Sequence, residues 1–388
     1  MKIAIFTDTF PPQVNGVANV AFDSAKELAD MGHQVRVFTL SNPKKKLTGL
    51  GRNLKIETVP SLPAFVYPDL RLTIPLGFTL RKLKKFAPDV IHTHTPFAMG
   101  WESVIGAKIL RVPLVGSHHT FFDHYLKHVK LDFSYAKKLS WKYVIKFYEE
   151  CDLLLTPSES LKKAFVQNGF KKKIVALPNP INTDLFRPVS SGSKKLKLKM
   201  EELGNEGQTL VHMGRISYEK NVAILISVFA ELKKKNKNLN FVIVGSGPEI
   251  PNLKKLCAKK KLENSVFFLG IKKGKQLVES LQIGDVFVTA SKSETFCLSV
   301  LEAMACGLPV VAVGKKGVKE LVRDGENGFL SFSDDSKVLT ERINEILHNK
   351  TLSKKFALNS RKIALKYSRK KIVTRLKKIY EEVTGSSK

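Results

Sequence analysis

A chain of 388 residues with 43% hydrophobic side chains is long enough for two globular domains of roughly 150–200 residues, each with its own core. Its 65 Lys and Arg against 35 Asp and Glu give a formal charge of +30, which favours anionic partners: nucleotides, acidic lipid surfaces or nucleic acid. Cys151, Cys257, Cys297 and Cys306 form neither a close metal-type pair nor a disulfide framework, and no window approaches ~18 uninterrupted apolar residues, which excludes zinc modules, disulfide scaffolds and membrane-spanning helices.

The run Lys2-Ile-Ala-Ile-Phe6 reads as an apolar strand, and the loop over 7–16 is rich in Pro and polar residues. A helix-period run over 17–31 follows, closed by Gly32, and then a second strand over 34–39. Strand candidates over 89–92, 113–116 and 153–156 continue this βαβ opening, which predicts a doubly wound parallel sheet. Two stretches interleave basic and apolar residues. Leu76, Leu80, Leu83 and Phe86 recur at helical spacing around Arg81, Lys82, Lys84 and Lys85, and residues 135–148 mix aromatics with Lys137, Lys138, Lys142 and Lys146. Helices of this kind either lie on anionic lipid or bury their apolar side in the first domain. Lysines are scattered along the whole chain, so a compositional bias explains the charge equally well.

After Leu177-Pro-Asn-Pro-Ile-Asn182 the lysine-rich run over 190–207 reads as an interdomain linker with irregular helix. The alternation then restarts, with strands over 209–213, 240–244, 266–269 and 286–289, helices near 221–235, 250–261 and 275–282, and a helical stretch from 335 onward. A second Rossmann-like unit is expected.

The segment 291–312 carries the strongest chemical signal. Glu294 and Glu302 stand eight residues apart across a loop-to-helix junction, with a buried strand before it and a helix over 298–306 ended by Gly307 and Pro309. Glu302 falls about two turns in, ~12 Å along the axis. Backbone N–H groups at a helix start suit a phosphate, whereas carboxylates repel phosphate and accept from hydroxyls. The ligand therefore has an anionic middle flanked by polyols, as a nucleoside diphosphate sugar does. No Asp-x-Asp metal signature is present, so basic side chains must neutralise a departing diphosphate; Arg215 and Lys220, in His212-Met-Gly-Arg-Ile-Ser-Tyr-Glu-Lys-Asn221, follow a strand and open a helix. Gly16 precedes the first helix and lets backbone approach a phosphate, and Gly245-Ser-Gly247 turns out of a strand. Histidines gather at His92, His94, His118, His119, His124 and His128, without a third and fourth ligand at zinc spacing.

Together the Glu294-x7-Glu302 spacing and the Gly214-Arg215…Lys220-Asn221 run resemble the retaining glycosyltransferases of family 4, which have the GT-B fold. The resemblance implies two Rossmann-like domains facing each other across an interdomain cleft: an acceptor domain over 1–186, a nucleotide-sugar domain over 187–365, and a last helix over 366–388 packing back on the first. It implies that His119, Arg215, Lys220 and Glu294 are catalytic: His119 and Glu294 on the donor sugar, Arg215 and Lys220 on the diphosphate. It assigns Gly16, Phe296, Cys297, Leu298 and Glu302 to donor binding, the last on the ribose diol. No metal and no cofactor are implied. Cys297 stands where the family often has Gly, and Asn182 where it usually has Asp.

His119-Thr-Phe-Phe-Asp-His-Tyr125 is similar, more narrowly, to bacterial diacylglycerol glycosyltransferases. That likeness implies glucose moved from UDP-glucose to a lipid acceptor, by a cytoplasmic protein peripheral to the inner face of the cell membrane and held on its anionic surface by basic amphipathic helices. The alternatives are a GDP-mannose-dependent mannosyltransferase acting on phosphatidylinositol or a soluble glycan and, from another class, a basic nucleic-acid-binding protein. For the latter no zinc module, recognition helix or aromatic RNA platform is evident, so nucleic acid is not an expected partner.

Overall fold

The computed structural model describes residues 1–13, 15–40, 50–63, 71–121 and 134–385. By internal packing the chain forms two units, Met1–Pro180 with Arg369–Lys388, and Ile181–Ser368.

In the first unit, strands β1 (Lys2–Thr7), β2 (Gln34–Leu40), β3 (Leu54–Val59), β6 (Val90–Thr93), β7 (Leu114–Ser117), β8 (Leu153–Thr156) and β9 (Ile174–Ala176) form one sheet of order β3-β2-β1-β6-β7-β8-β9. Every pairing in it is parallel. The remaining pair, β4 (Leu62–Pro63) and β5 (Arg71–Leu72), is a short antiparallel ribbon. Helices cover both faces of the sheet, so β6, β7 and β8 are buried along their whole length. One face packs Ile3, Ile5 and Val115 against Ala21, Ala25 and Leu28 of the helix Gly16–Asp30 and Val373, Leu376 and Tyr380 of the helix Arg369–Gly385. The other packs Ala4, Phe6, Ile91 and Leu154 against Met99, Val104, Phe147 and Tyr148. Strand order reverses between β1 and β6, and the carboxyl ends there carry Asp8 and His94. Asp8 is buried and accepts the Met99 N–H at 3.1 Å, which ties β1 to the start of the helix Ala98–Leu110.

The two basic amphipathic stretches behave differently. The helix Leu80–Phe86 is shorter than its periodicity suggests; Leu76 lies outside it and is exposed, while Leu83 and Phe86 are buried in the unit's core. Its cations are partly engaged, Lys82 with Glu57 at 2.8 Å. In the helix Ser134–Tyr148, Val144, Phe147 and Tyr148 are buried, yet Tyr135, Leu139 and Tyr143 stay exposed by 72%, 55% and 41%, a second apolar stripe at four-residue spacing.

In the second unit, β10 (Thr209–Met213), β11 (Asn240–Val244), β12 (Val266–Gly270), β13 (Val286–Thr289), β14 (Val310–Val313) and β15 (Gly328–Ser331) form a parallel sheet of order β12-β11-β10-β13-β14-β15. Its order reverses between β10 and β13. The run over 190–207, expected as an interdomain linker with irregular helix, holds a regular helix instead, Gly192–Leu203, begun by Ser191, whose side chain accepts from the Lys194 N–H, and ended by Gly204 at φ 67°. Leu198 and Leu203 join the core, and Lys195 and Lys199 reach Asp285 at 2.6 and 2.8 Å. The lysine-rich composition concealed a narrow apolar stripe, because long lysine stems bury their methylenes and bring only the ammonium to a carboxylate.

Among the described residues no helix is long and apolar enough to cross a membrane.

Candidate functional site

In the second unit the expected residues gather beyond the carboxyl ends of β10 and β13, at the reversal of strand order. Arg215 follows β10 through Gly214, which has φ 155°, and Lys220 ends a 3-10 turn, Tyr218–Lys220. The Gly245-Ser-Gly247 turn fixes this backbone. Gly214 N donates to Val244 O and Ile216 N to Ser246 O, each at 3.0 Å. A Cβ on Gly245 would stand 1.9 Å from Gly214 O, and one on Gly247 would stand 2.1 Å from Ile216 O. Both contacts are with main chain, so only glycine permits them. The turn is thus a clamp on the peptide that carries Arg215.

Lys220 Nζ donates to Glu294 Oε1, an ion pair between residues 74 apart in sequence. Burial works against the charge on both groups, but each is overruled by its partner: Glu294 is held below the usual carboxylate range and Lys220 above the usual ammonium range. His212, on β10, donates Nδ1–H to Val288 O at 2.9 Å and is pushed down to about 4, first by burial. It stays neutral beside the pair.

Glu294 is held from behind. Gly317 N donates to Glu294 O at 3.1 Å, and a Cβ on Gly317 would stand 2.1 Å from Thr295 O. Phe296 is buried edge-on against Tyr367, with ring centroids 5.6 Å apart. Cys297 precedes the helix Leu298–Ala305 at φ 64°, in the left-handed region. Its thiol is pushed up to about 12 by burial and then by Glu294, so it is inert at neutral pH. No side chain caps this helix start, and Cys297 O accepts from the Val300 and Leu301 N–H groups at 3.1 and 3.2 Å. Glu302 lies in the second turn of the same helix, half-buried. Arg361 closes the far end by donating to Ala305 O at 2.8 Å.

Gly16 and His119 belong to the first unit. Gly16 is the exposed first residue of its helix, and Asn15 accepts the Ala18 N–H at 2.8 Å. His119 lies just past β7, with its Nε2 3.1 Å from His94 Nδ1. His118 points elsewhere, its ring edge-on to Phe165 and its Nδ1 3.3 Å from the Tyr148 hydroxyl, so it is a core residue. His92 meets the Tyr380 hydroxyl at 2.6 Å, a contact across 288 positions that no sequence spacing announces. Burial pushes His92 and His118 down to about 3 and His119 to about 4, so all three rings are neutral near pH 7. His92, His94, Ser117, His119 and Asn179 line a cavity of about 20 Å³. Asp123, His124, Tyr125 and His128 lie outside the described residues. Among the described residues no group of three His, Cys, Asp or Glu is arranged to hold a metal ion.

Comparison with known proteins gives two family matches, Glycosyltransferase Family 4 over residues 14–185 and Glycosyl transferases group 1 over residues 194–363. The alpha-monoglucosyldiacylglycerol synthase of Streptococcus pneumoniae is 30% identical over 339 residues, 86% of this chain and 76% of that protein. A GDP-mannose-dependent alpha-mannosyltransferase of Mycobacterium tuberculosis is 26% identical over 389 residues, 99% and 97% of the two chains. The crystal structure of HepE from Anabaena in complex with UDP superposes with a TM-score of 0.81 at 23% identity, covering 98% of this chain and 100% of that one. That likeness identifies the fold, two α/β units with parallel sheets, as GT-B.

Proposed function

This chain belongs to glycosyltransferase family 4, and we propose that it moves a hexose, glucose from UDP-glucose, onto the hydroxyl of a membrane lipid such as diacylglycerol, with retention of anomeric configuration. The observation that carries the reading is the Lys220–Glu294 pair, which holds a cation for a diphosphate and a carboxylate for sugar hydroxyls at one place on the sheet. An arriving donor exchanges both partners: the diphosphate takes the Lys220 ammonium together with Arg215, and sugar hydroxyls donate to the released Glu294 carboxylate. Charge growing on the leaving diphosphate then meets side chains and the amides at Phe296, Cys297 and Leu298, and the reading needs no metal. Glu302 takes the ribose diol, Gly16 lets main chain approach a phosphate, and His119 meets the sugar. In a front-face displacement the leaving phosphate oxygen accepts the acceptor's proton, so no enzyme nucleophile is assigned.

The lipid acceptor is supported by the likeness to a diacylglycerol-glucosylating relative, and by Tyr135, Leu139 and Tyr143 exposed on a helix that also carries Lys138, Lys142 and Lys146. On this reading the protein works at the inner face of the cell membrane. The test incubates the protein with diacylglycerol liposomes and a panel of nucleotide sugars, followed by mass spectrometry of the lipids. Glucosylated diacylglycerol is the expected product, and an unchanged lipid profile with every donor rejects the lipid acceptor. The similarity to a GDP-mannose-dependent enzyme supports mannose transfer as the second reading. Thermal stabilisation by GDP and not by UDP would favour it.

A further inference from the structure

At the carboxyl ends of β6, β7 and β8 the sheet of the first unit does not close fully against the elements that cover it. Between His94 and Thr156 on the sheet side, Ser24 of the helix Gly16–Asp30, Leu376 of the helix Arg369–Gly385 and the segment Pro178-Asn179-Pro180 lies the cavity of about 20 Å³. Ser24, His94 and Thr156 are 3%, 3% and 1% exposed, so its polar wall is taken out of bulk water.

The protein does not satisfy this wall by itself. His94 Nδ1 faces His119 Nε2 at 3.1 Å, and one face of its ring lies against His92, with centroids 4.2 Å apart. Its Nε2 is buried with no hydrogen-bond partner among the described residues. His92 has nothing to offer it, because both of its nitrogens are taken, by the Tyr380 hydroxyl at 2.6 Å and Ser117 Oγ at 2.8 Å. The covering segment is poor in donors too, since Pro178 and Pro180 carry no N–H. Native interiors rarely leave a buried polar atom in this state.

Size and charge choose the occupant. A cavity holds a water from about 10–15 Å³ upward, so about 20 Å³ admits one and has no room for a sugar or a phosphate. The wall carries no carboxylate to compensate a cation. Burial keeps His92, His94 and His119 neutral near pH 7, so an anion meets no charge there. What fits is one small neutral molecule that both donates and accepts.

We propose that a single water resides in this cavity, bound to His94 Nε2 and to the hydroxyls of Ser24 and Thr156, as a built part of the first unit. Thr156 Oγ1 donates to Ser158 O at 3.2 Å and so keeps its lone pairs for a proton of the water. A water donates to a bare Nε2 and accepts from a protonated one, so the site holds whichever nitrogen of His94 carries the proton. It completes the hydrogen bonding of His94, and through His94 it backs His119; the site stands independently of the sugar contact proposed above for His119.

The test is a crystal structure of the whole protein at a resolution that shows ordered water, together with oxygen-17 relaxation dispersion in solution, which counts long-lived internal waters. One peak is expected at about 2.7–3.2 Å from His94 Nε2 and within the same reach of Ser24 or Thr156 Oγ. Ser24→Val puts methyl groups where the hydroxyl stood; the peak is lost and the count of long-lived waters falls by one. Ser24→Ala leaves the space open and retains the water. A wild-type cavity without a peak, or with a peak out of reach of Nε2, overturns the proposal whether or not the Val variant folds. So does a folded Ser24→Val protein with an unchanged water count.

Discussion

Replacing Lys220 with Met keeps the aliphatic stem and deletes the charge that neutralises Glu294. The two side chains are 20% and 17% exposed, so the carboxylate left behind is largely out of water. Breaking a buried pair from one side costs about 3–5 kcal/mol, and the residual exposure places this case near about 3 kcal/mol. Adding Glu294→Gln removes the stranded charge and should restore about 2 kcal/mol, a coupling that a double-mutant cycle in urea reads directly. Transfer follows a different pattern. Each single variant should lose about 10²–10³ in kcat, the loss typical of one group that stabilises charge in the transition state, and the double variant should stay inactive although its stability returns. The pH dependence has a defined sign. Glu294 is held below its ordinary value of 4.5, so its contribution is present above that pH and is lost as pH falls through the depressed value. Lys220 is held above 10.5, so its contribution is present below that pH and is lost as pH rises through the elevated value. Between these limits the pair's contribution should be flat. A Lys220→Met protein as stable as wild type, or a double variant less stable than the single, would refute the reasoning.

Gly247→Ala puts a Cβ 2.1 Å from Ile216 O and should displace the peptide bearing Arg215, costing about 1–3 kcal/mol by urea unfolding and lowering kcat more than it raises KM; unchanged stability and kinetics would remove the clamp. All four cysteines are buried, and burial pushes Cys257 up to about 11 and Cys297 and Cys306 up to about 12. A thiol reagent at mildly alkaline pH should therefore label none of the four in the native protein and all four in urea, and rapid labelling of any one before unfolding contradicts the burial.

Strands such as Thr209–Met213, Asn240–Val244 and Val286–Thr289 are visible in the sequence with the bounds they have in the fold, because a parallel strand covered on both faces admits little but apolar residues. Leu54–Val59 escaped, since as an edge strand it carries Lys55 and Glu57 and breaks the apolar run. The helix Gly192–Leu203 was legible only as an irregular one, for the related reason that lysine-rich composition hides a stripe made of Leu198 and Leu203. The pieces of the site were equally legible wherever they were local: Glu294 and Glu302 astride a helix start, Arg215 and Lys220 after a strand, and His92 on β6 with His94 just past its end.

What the sequence determined by itself is therefore the set of elements and the chemical character of their ends, since periodicity and composition act over a few residues. Tertiary structure alone decided who meets whom. Strand order brings β10 beside β13, and so pairs Lys220 with Glu294. Packing of the last helix on the first sheet sets Tyr380 against His92, and the close approach of two glycine-bearing turns fixes the peptide of Arg215. These contacts join residues far apart in the chain, and local pattern carries no information about them because the order of strands and the packing of helices are settled by the burial of the whole core.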